Sequence, residues 1–148
     1  MKVFISWSKE PSKSVARALR SWLPDVIQSL EPWMSDQDIP SGERWATTIG
    51  DKLAETNFGI IVLTPENQEA PWINFEAGAI SKVIDESRVI PYTYGFGPAD
   101  VVGPLSQFNG VKASKEGTLK MIIDINKNMD RPIENGRLMR FFENSWVN

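Results

Sequence analysis

Apolar residues fall along this chain in two alternating styles. Short continuous runs, Lys2-Val3-Phe4-Ile5-Ser6, Phe58-Gly59-Ile60-Ile61-Val62-Leu63 and Arg88-Val89-Ile90-Pro91-Tyr92, are rich in β-branched residues. They do not alternate with polar residues, which suits parallel strands covered on both faces. Pro32-Trp33-Met34-Ser35 is a weaker fourth run. Between the runs the apolar positions recur at helical spacing: Val15, Leu19, Trp22 and Leu23 after Pro11-Ser12; Trp45, Ile49 and Leu53 after Pro40-Ser41-Gly42; Trp72, Phe75, Ala79, Ile80 and Val83; Leu119, Ile122, Ile123 and Ile125; and Leu138, Phe141, Phe142 and Trp146.

Strands alternating with helices predict βαβ units and a parallel sheet. Right-handed crossovers place helices on both faces of such a sheet. Ligands then bind beyond the carboxyl ends of the strands. The loops at that edge are 6–12, 35–43, 64–71 and 93–104. There is no internal repeat and no linker-like stretch, so the 148 residues read as a single domain.

Within the third helical stripe sits an exception to its pattern. Glu76 is a carboxylate in the otherwise apolar, small-residue run Trp72-Ile73-Asn74-Phe75-Glu76-Ala77-Gly78-Ala79-Ile80. Residues four apart share a helix face, so the Trp72 indole and the Glu76 carboxylate neighbour each other. A charge among apolar groups is costly without a partner or a task. An aromatic wall beside a lone carboxylate suits a bound ring that becomes positive during reaction. The plainer reading is a solvated residue on the helix's polar edge.

Composition narrows the chemistry. Hydrophobic residues make up 41% and charged residues 24%, the mix of an ordinary globule. Net charge is −3, with Lys and Arg scattered, which argues against nucleic acid as the main partner. The chain has no Cys and no His. Disulfides, thiol nucleophiles, Cys-type zinc sites and the Ser-His-Asp triad are therefore excluded, and catalysis must rest on carboxylates, Lys, Tyr, Ser or backbone groups. Six Trp and seven Phe exceed what a core of this size needs, leaving aromatics to stack on a flat ligand. No apolar run reaches the roughly 20 residues of a membrane span, and the start lacks a secretory pattern, so a cytoplasmic location is expected.

Two further segments carry candidate chemistry. Ser6, Trp7 and Ser8 leave the first strand beside the start of the first helix, where backbone N–H groups favour phosphate; the plain alternative is helix capping by the serines. The segment from Trp33 to Trp45 is a polar loop after a strand, suited to closing on a ligand or meeting another subunit. Its Asp36 and Asp38 lack the further oxygen ligands that a metal site needs, so no metal is expected. Gly95-Phe96-Gly97 has the wrong spacing for a dinucleotide fingerprint.

Five segments, in order along the chain, resemble the boxes of bacterial TIR (Toll/interleukin-1 receptor) domains. Val3-Phe4-Ile5-Ser6-Trp7-Ser8 resembles the first-strand box. Asp38-Ile39-Pro40-Ser41-Gly42 resembles the BB loop. Phe58 to Pro65 resembles the third strand and its exit. Trp72 to Glu76 resembles the Trp-x-x-x-Glu motif of catalytic members, and Gly103-Pro104-Leu105-Ser106-Gln107-Phe108 a late segment of bacterial ones.

The resemblance implies a flavodoxin-like three-layer α/β fold around a parallel, five-stranded sheet. It implies cleavage of the nicotinamide–ribose bond of NAD+, as in the TIR NADases and cyclases of antiphage defence, with NAD+ as substrate and no cofactor. Glu76 falls on the catalytic glutamate. Trp72 and Trp7 fall on aromatic positions, and Ser6, Ser8, Trp33, Arg44 and Trp45 complete the expected substrate-binding set. Ser35 stands where many members carry Asp, so that acidic role is not transferred. Several TIR enzymes assemble their site between subunits, which makes Asp36, Gln37, Asp38, Ile39, Pro40, Ser41 and Gly42 the expected self-association surface. A non-catalytic TIR interaction module is the alternative, and the chain could be one domain of a longer effector. No nucleic acid or membrane partner is expected.

Overall fold

The computed structural model describes residues 1–7, 10–34, 56–67, 88–101, 106 and 108–146. Five parallel strands form one sheet in the order β2-β1-β3-β4-β5. They are β1 (Lys2–Ser6), β2 (Glu31–Met34), β3 (Phe58–Leu63), β4 (Val89–Thr93) and β5 (Val111–Lys112). Register is fixed by pairs such as Phe4↔Trp33, Ile5↔Ile60, Ile60↔Ile90 and Tyr92↔Val111. All six residues of β3 and all five of β4 are buried, which explains why these strands read as unbroken apolar runs.

The first three strands of the sequence reading and the weak fourth are all present. Two of them are shifted by one residue: β2 opens at Glu31 and β4 runs from Val89 to Thr93. β5 is the strand that the apolar runs did not disclose. It has two residues, and its ladder begins only beyond Pro91, which has no amide proton to offer a neighbour.

Alternation along the strands separates the two faces. Val3, Ile5, Phe58, Ile60, Val62, Ile90 and Tyr92 point into one cluster with α1 (Ser12–Val26), α2 (Lys115–Lys127) and α3 (Asn135–Ser145). α1 contributes Ala16, Leu19, Leu23 and Val26, spaced by three or four, with Val15 and Trp22 at the margin. α3 contributes Leu138 and Phe142. Trp22 crosses Phe142 edge-on at 5.7 Å and donates its indole N–H to the Ser145 carbonyl at 3.0 Å, tying α1 to the end of α3.

On α2 the buried residues are Thr118, Met121, Ile122, Ile125 and Asn126, while Ile123 is 40% exposed. The sequence reading placed Ile123 in the core stripe. One helical step of about 100° beyond Ile122 carries it off the face that Ile122 and Ile125 share. The opposite face of the sheet presents Phe4, Ile61 and Leu63, all fully buried. The helices expected over Trp45–Leu53 and Trp72–Val83 lie outside the described residues.

Two caps fix the late helices. Ser114 accepts the Gly117 N–H at the start of α2. Glu134 accepts those of Gly136 and Arg137 at the start of α3, and these amides hold its carboxyl below the usual carboxylate range.

Candidate active site

The carboxyl edge of the sheet is built from Ser6, Met34, Thr64, Thr93 and Lys112, the residues at or just past the five strand ends. Ser6 is fully buried and stands opposite Ile61. Trp7 follows it, 8% exposed, with its ring in the core cluster of the helical face. Lys13, in the first turn of α1, holds its ammonium 5.2 Å from the Trp7 ring centroid. Indole and cation attract electrostatically at that distance. This corner therefore sets a positive charge beside a largely buried tryptophan.

The start of α1 already carries an anion. The Glu10 carboxylate accepts the Ser14 N–H at 2.9 Å and the Ser14 hydroxyl at 2.9 and 3.0 Å. A phosphate attracted to this helix end would compete with Glu10 for that amide.

The exit of β3 is locked by a buried turn. Asn67 accepts the Thr64 N–H at 2.7 Å, donates its side-chain amide to the Val62 carbonyl at 3.2 Å, and sends its backbone N–H to the Thr64 hydroxyl. It is 2% exposed. Asn67→Ala is expected to cost about 2–4 kcal/mol in urea denaturation, because it strands a buried amide and a buried carbonyl together. An unchanged midpoint would show that water replaces the lost bonds.

Trp33 is placed differently from Ser6 and Trp7. Its ring packs on Phe4 at 4.3 Å, and its N–H donates to the Thr56 hydroxyl at 3.1 Å. Thr56 precedes β3, so this N–H is turned toward the amino-terminal side of the sheet. The structure thus brings Ser6 and Trp7 together at the carboxyl edge and does not bring the Trp33 N–H to them. Ser8, Asp36 to Gly42, Arg44, Trp45, Trp72 and Glu76 lie outside the described residues. Of the late TIR-like segment, Ser106 and Phe108 are described, and Phe108 is buried.

Lys13 and Asn67 were not singled out by the sequence reading. The signals available were a lysine just inside the first helix and the Thr64-x-x-Asn67 spacing of a side-chain-bonded turn.

A separate apolar groove of about 410 Å³ runs between α1 and the ends of β4 and β5, lined by Leu19, Trp22, Tyr92, Tyr94, Ala113 and Trp146 among others. None of the described candidate site residues lines it. The Tyr92 hydroxyl lies 2.7 Å from that of Thr118; burial raises the phenol's pKa and this bond partly offsets the rise. Among the described residues no cluster of three acidic side chains suited to a metal occurs, and no helix is long and apolar enough to cross a membrane.

The family model described as "TIR domain" matches residues 3–123. The chain belongs to the TIR-domain family. This TIR domain is also similar to the TIR domains in a solved structure described as the activated Roq1 resistosome directly recognizing the pathogen effector XopQ. The TM-score is 0.51 at 17% identity, covering 96% of this chain and 79% of that one. At that identity the likeness concerns the fold: the parallel sheet and helices described above. No curated protein matches the chain.

Proposed function

We propose that this TIR domain cleaves the nicotinamide–ribose bond of NAD+, giving ADP-ribose or a cyclic isomer, and that it serves bacterial antiphage defence. The observation that carries the reading is Glu76 four residues after Trp72, the catalytic Trp-x-x-x-Glu spacing, inside the matched TIR span.

The chemistry needs little else. Nicotinamide leaves as a neutral base, so no general acid has to protonate it. The ribose left behind is oxocarbenium-like, and a carboxylate beside it lowers the barrier electrostatically. Water attack then gives ADP-ribose; attack by the substrate's own adenine gives a cyclic product. In this reading Glu76 faces the ribose and Trp72 stacks on the nicotinamide. Ser6, Trp7, Ser8, Arg44 and Trp45 surround the remainder of NAD+, while Trp33, packed on Phe4 with its N–H on Thr56, supports the sheet instead. The cytoplasm, where NAD+ is abundant, is the matching location.

The BB-loop segment Asp36 to Gly42 is the proposed self-association surface. A TIR domain within an activated resistosome is the neighbour that supports assembly, and it also favours the second reading, a module that assembles without turnover.

One experiment separates the two readings. Concentrated protein is incubated with NAD+ and the products are identified by mass. Release of nicotinamide with ADP-ribose, or with a product lighter by one water, supports the enzyme. A protein that self-associates yet leaves NAD+ intact in every assembled state supports the interaction module.

A further inference from the structure

The amino-terminal edge of the sheet, one strand length away from the candidate site, gathers cations around a cavity. Met1, Asn57 and Arg88 are the residues immediately ahead of β1, β3 and β4, and Ser29 lies in the turn ahead of β2. These four strands are adjacent in the sheet. Together with Asn128, Asp130 and Arg131 from the α2–α3 connection, the residues line a polar cavity of about 470 Å³.

Among its described residues the charges do not cancel. Arg88 and Arg131 each bring a guanidinium, and among the described residues neither is held by a hydrogen bond or an ion pair. Among the described residues Asp130 is the one carboxylate in the lining, and it pairs with neither. The Met1 main-chain nitrogen donates to the Ser29 carbonyl at 3.2 Å. Asn57 uses its side-chain oxygen on the Lys2 N–H, which leaves its amide N–H groups free to donate. Among the described residues an excess of donors and of positive charge thus faces one cavity, in a chain whose net charge is −3.

Like charges gathered without a counter-ion repel each other, and a bound anion removes that cost. Guanidinium groups match phosphate oxygens in paired hydrogen bonds. A second cavity of about 330 Å³ shares Ser29, Met129 and Arg131 with the first and adds the apolar side chains of Val26, Ile133 and Phe141 beside Asp25, Gln28 and Arg137. Arg131 therefore stands between the polar cavity and one of mixed lining, where Met129, Ile133 and Phe141 offer apolar surface.

We propose that this edge binds an organic phosphate, its phosphate between Arg88 and Arg131 and its carbon body along Met129, Ile133 and Phe141. The proposal is independent of NAD+ cleavage, since it uses no residue of the candidate active site.

Phenyl phosphate and inorganic phosphate are suitable probes, titrated into the intact protein by calorimetry at physiological salt. The expected result is saturable binding at one site, tighter for phenyl phosphate. Arg88→Gln and Arg131→Gln should each weaken both probes by about tenfold or more, the loss expected for a charge-assisted contact. Phe141→Ala should weaken phenyl phosphate and spare inorganic phosphate. Arg131 is exposed and, among the described residues, without a partner, so its variant keeps the test valid if substitution at Arg88 disturbs folding. Absence of saturable binding for both probes, or binding unchanged in Arg131→Gln, overturns the proposal. So does equal affinity for the two probes that vanishes at physiological salt, the mark of an adventitious ion only.

Discussion

Glu76→Gln protein is expected to bind NAD+ and leave it intact, with turnover reduced by about 10³-fold or more. Glutamine preserves the volume of the side chain and most of its hydrogen bonding. What it removes is the negative charge, and in the proposed mechanism charge is the contribution that matters. The ground-state ribose is already attached to a cationic pyridinium. As the bond breaks, positive charge moves onto the sugar, so a carboxylate next to the ribose is worth more in the transition state than before it. Loss of one preorganised electrostatic group costs typically 10²–10³ in turnover. A carboxylate facing a cation in a dry site stands at or above the top of that range. The loss should fall on kcat, with KM nearly unchanged, because the aromatic and phosphate contacts remain. Following nicotinamide release alongside a thermal melt checks both halves. A normal melt with wild-type turnover removes Glu76 from the mechanism; a fall confined to KM reassigns it to binding.

The sheet was legible because its central strands, β1, β3 and β4, are buried on both faces. Burial of every residue of β3 and β4 forces continuous apolar runs, and such runs are visible without any alignment. β5 was not legible from the runs, and its two residues explain why: Val111 is buried and Lys112 exposed, which is no pattern at all. The expectation of five strands came instead from the TIR resemblance, which the family match over residues 3–123 and the five-stranded sheet now support. For the three described helices, the faces were legible to within one residue. Ile123 shows the limit, since an isoleucine between two core isoleucines looks like core in sequence and yet faces solvent.

The candidate site was legible in a narrower sense. The boxes placed Ser6 and Trp7 at the carboxyl edge of β1, and both are there. What they touch was not legible. That Trp7 is nearly enclosed and paired with Lys13, or that Trp33 gives its N–H to Thr56, depends on contacts between segments far apart in sequence or across a turn. Glu10 is a related case: its carboxylate looks like an ordinary surface charge, but it sits where a helix end attracts anions.

Gly117→Ala is expected to destabilise the domain by about 2 kcal/mol or more, although alanine is the better helix former. Position 117 lies in the first turn of α2, where alanine over glycine gains at most about 1 kcal/mol in helix propensity. Against that gain, a Cβ at 117 would overlap the Lys112 carbonyl oxygen and stand 3.0 Å from the Lys112 nitrogen and carbonyl carbon. These are backbone atoms of β5, so no side chain can swing aside; either α2 or the edge strand has to move. Overpacking of this kind costs about 1–3 kcal/mol and sometimes more, which outweighs the propensity term. Displacing α2 also threatens the buried Tyr92–Thr118 hydrogen bond, and displacing β5 threatens its pairing with Tyr92 and Thr93. Gly136→Ala supplies the control. There the added Cβ meets the Glu134 carboxylate at 3.1 Å, the movable tip of an exposed side chain, and the expected change is small. Urea denaturation of the two variants beside the parent makes the comparison. Equal midpoints for Gly117→Ala and the parent would mean that β5 yields at no cost, and that the edge of this sheet is held by something other than the close approach of α2.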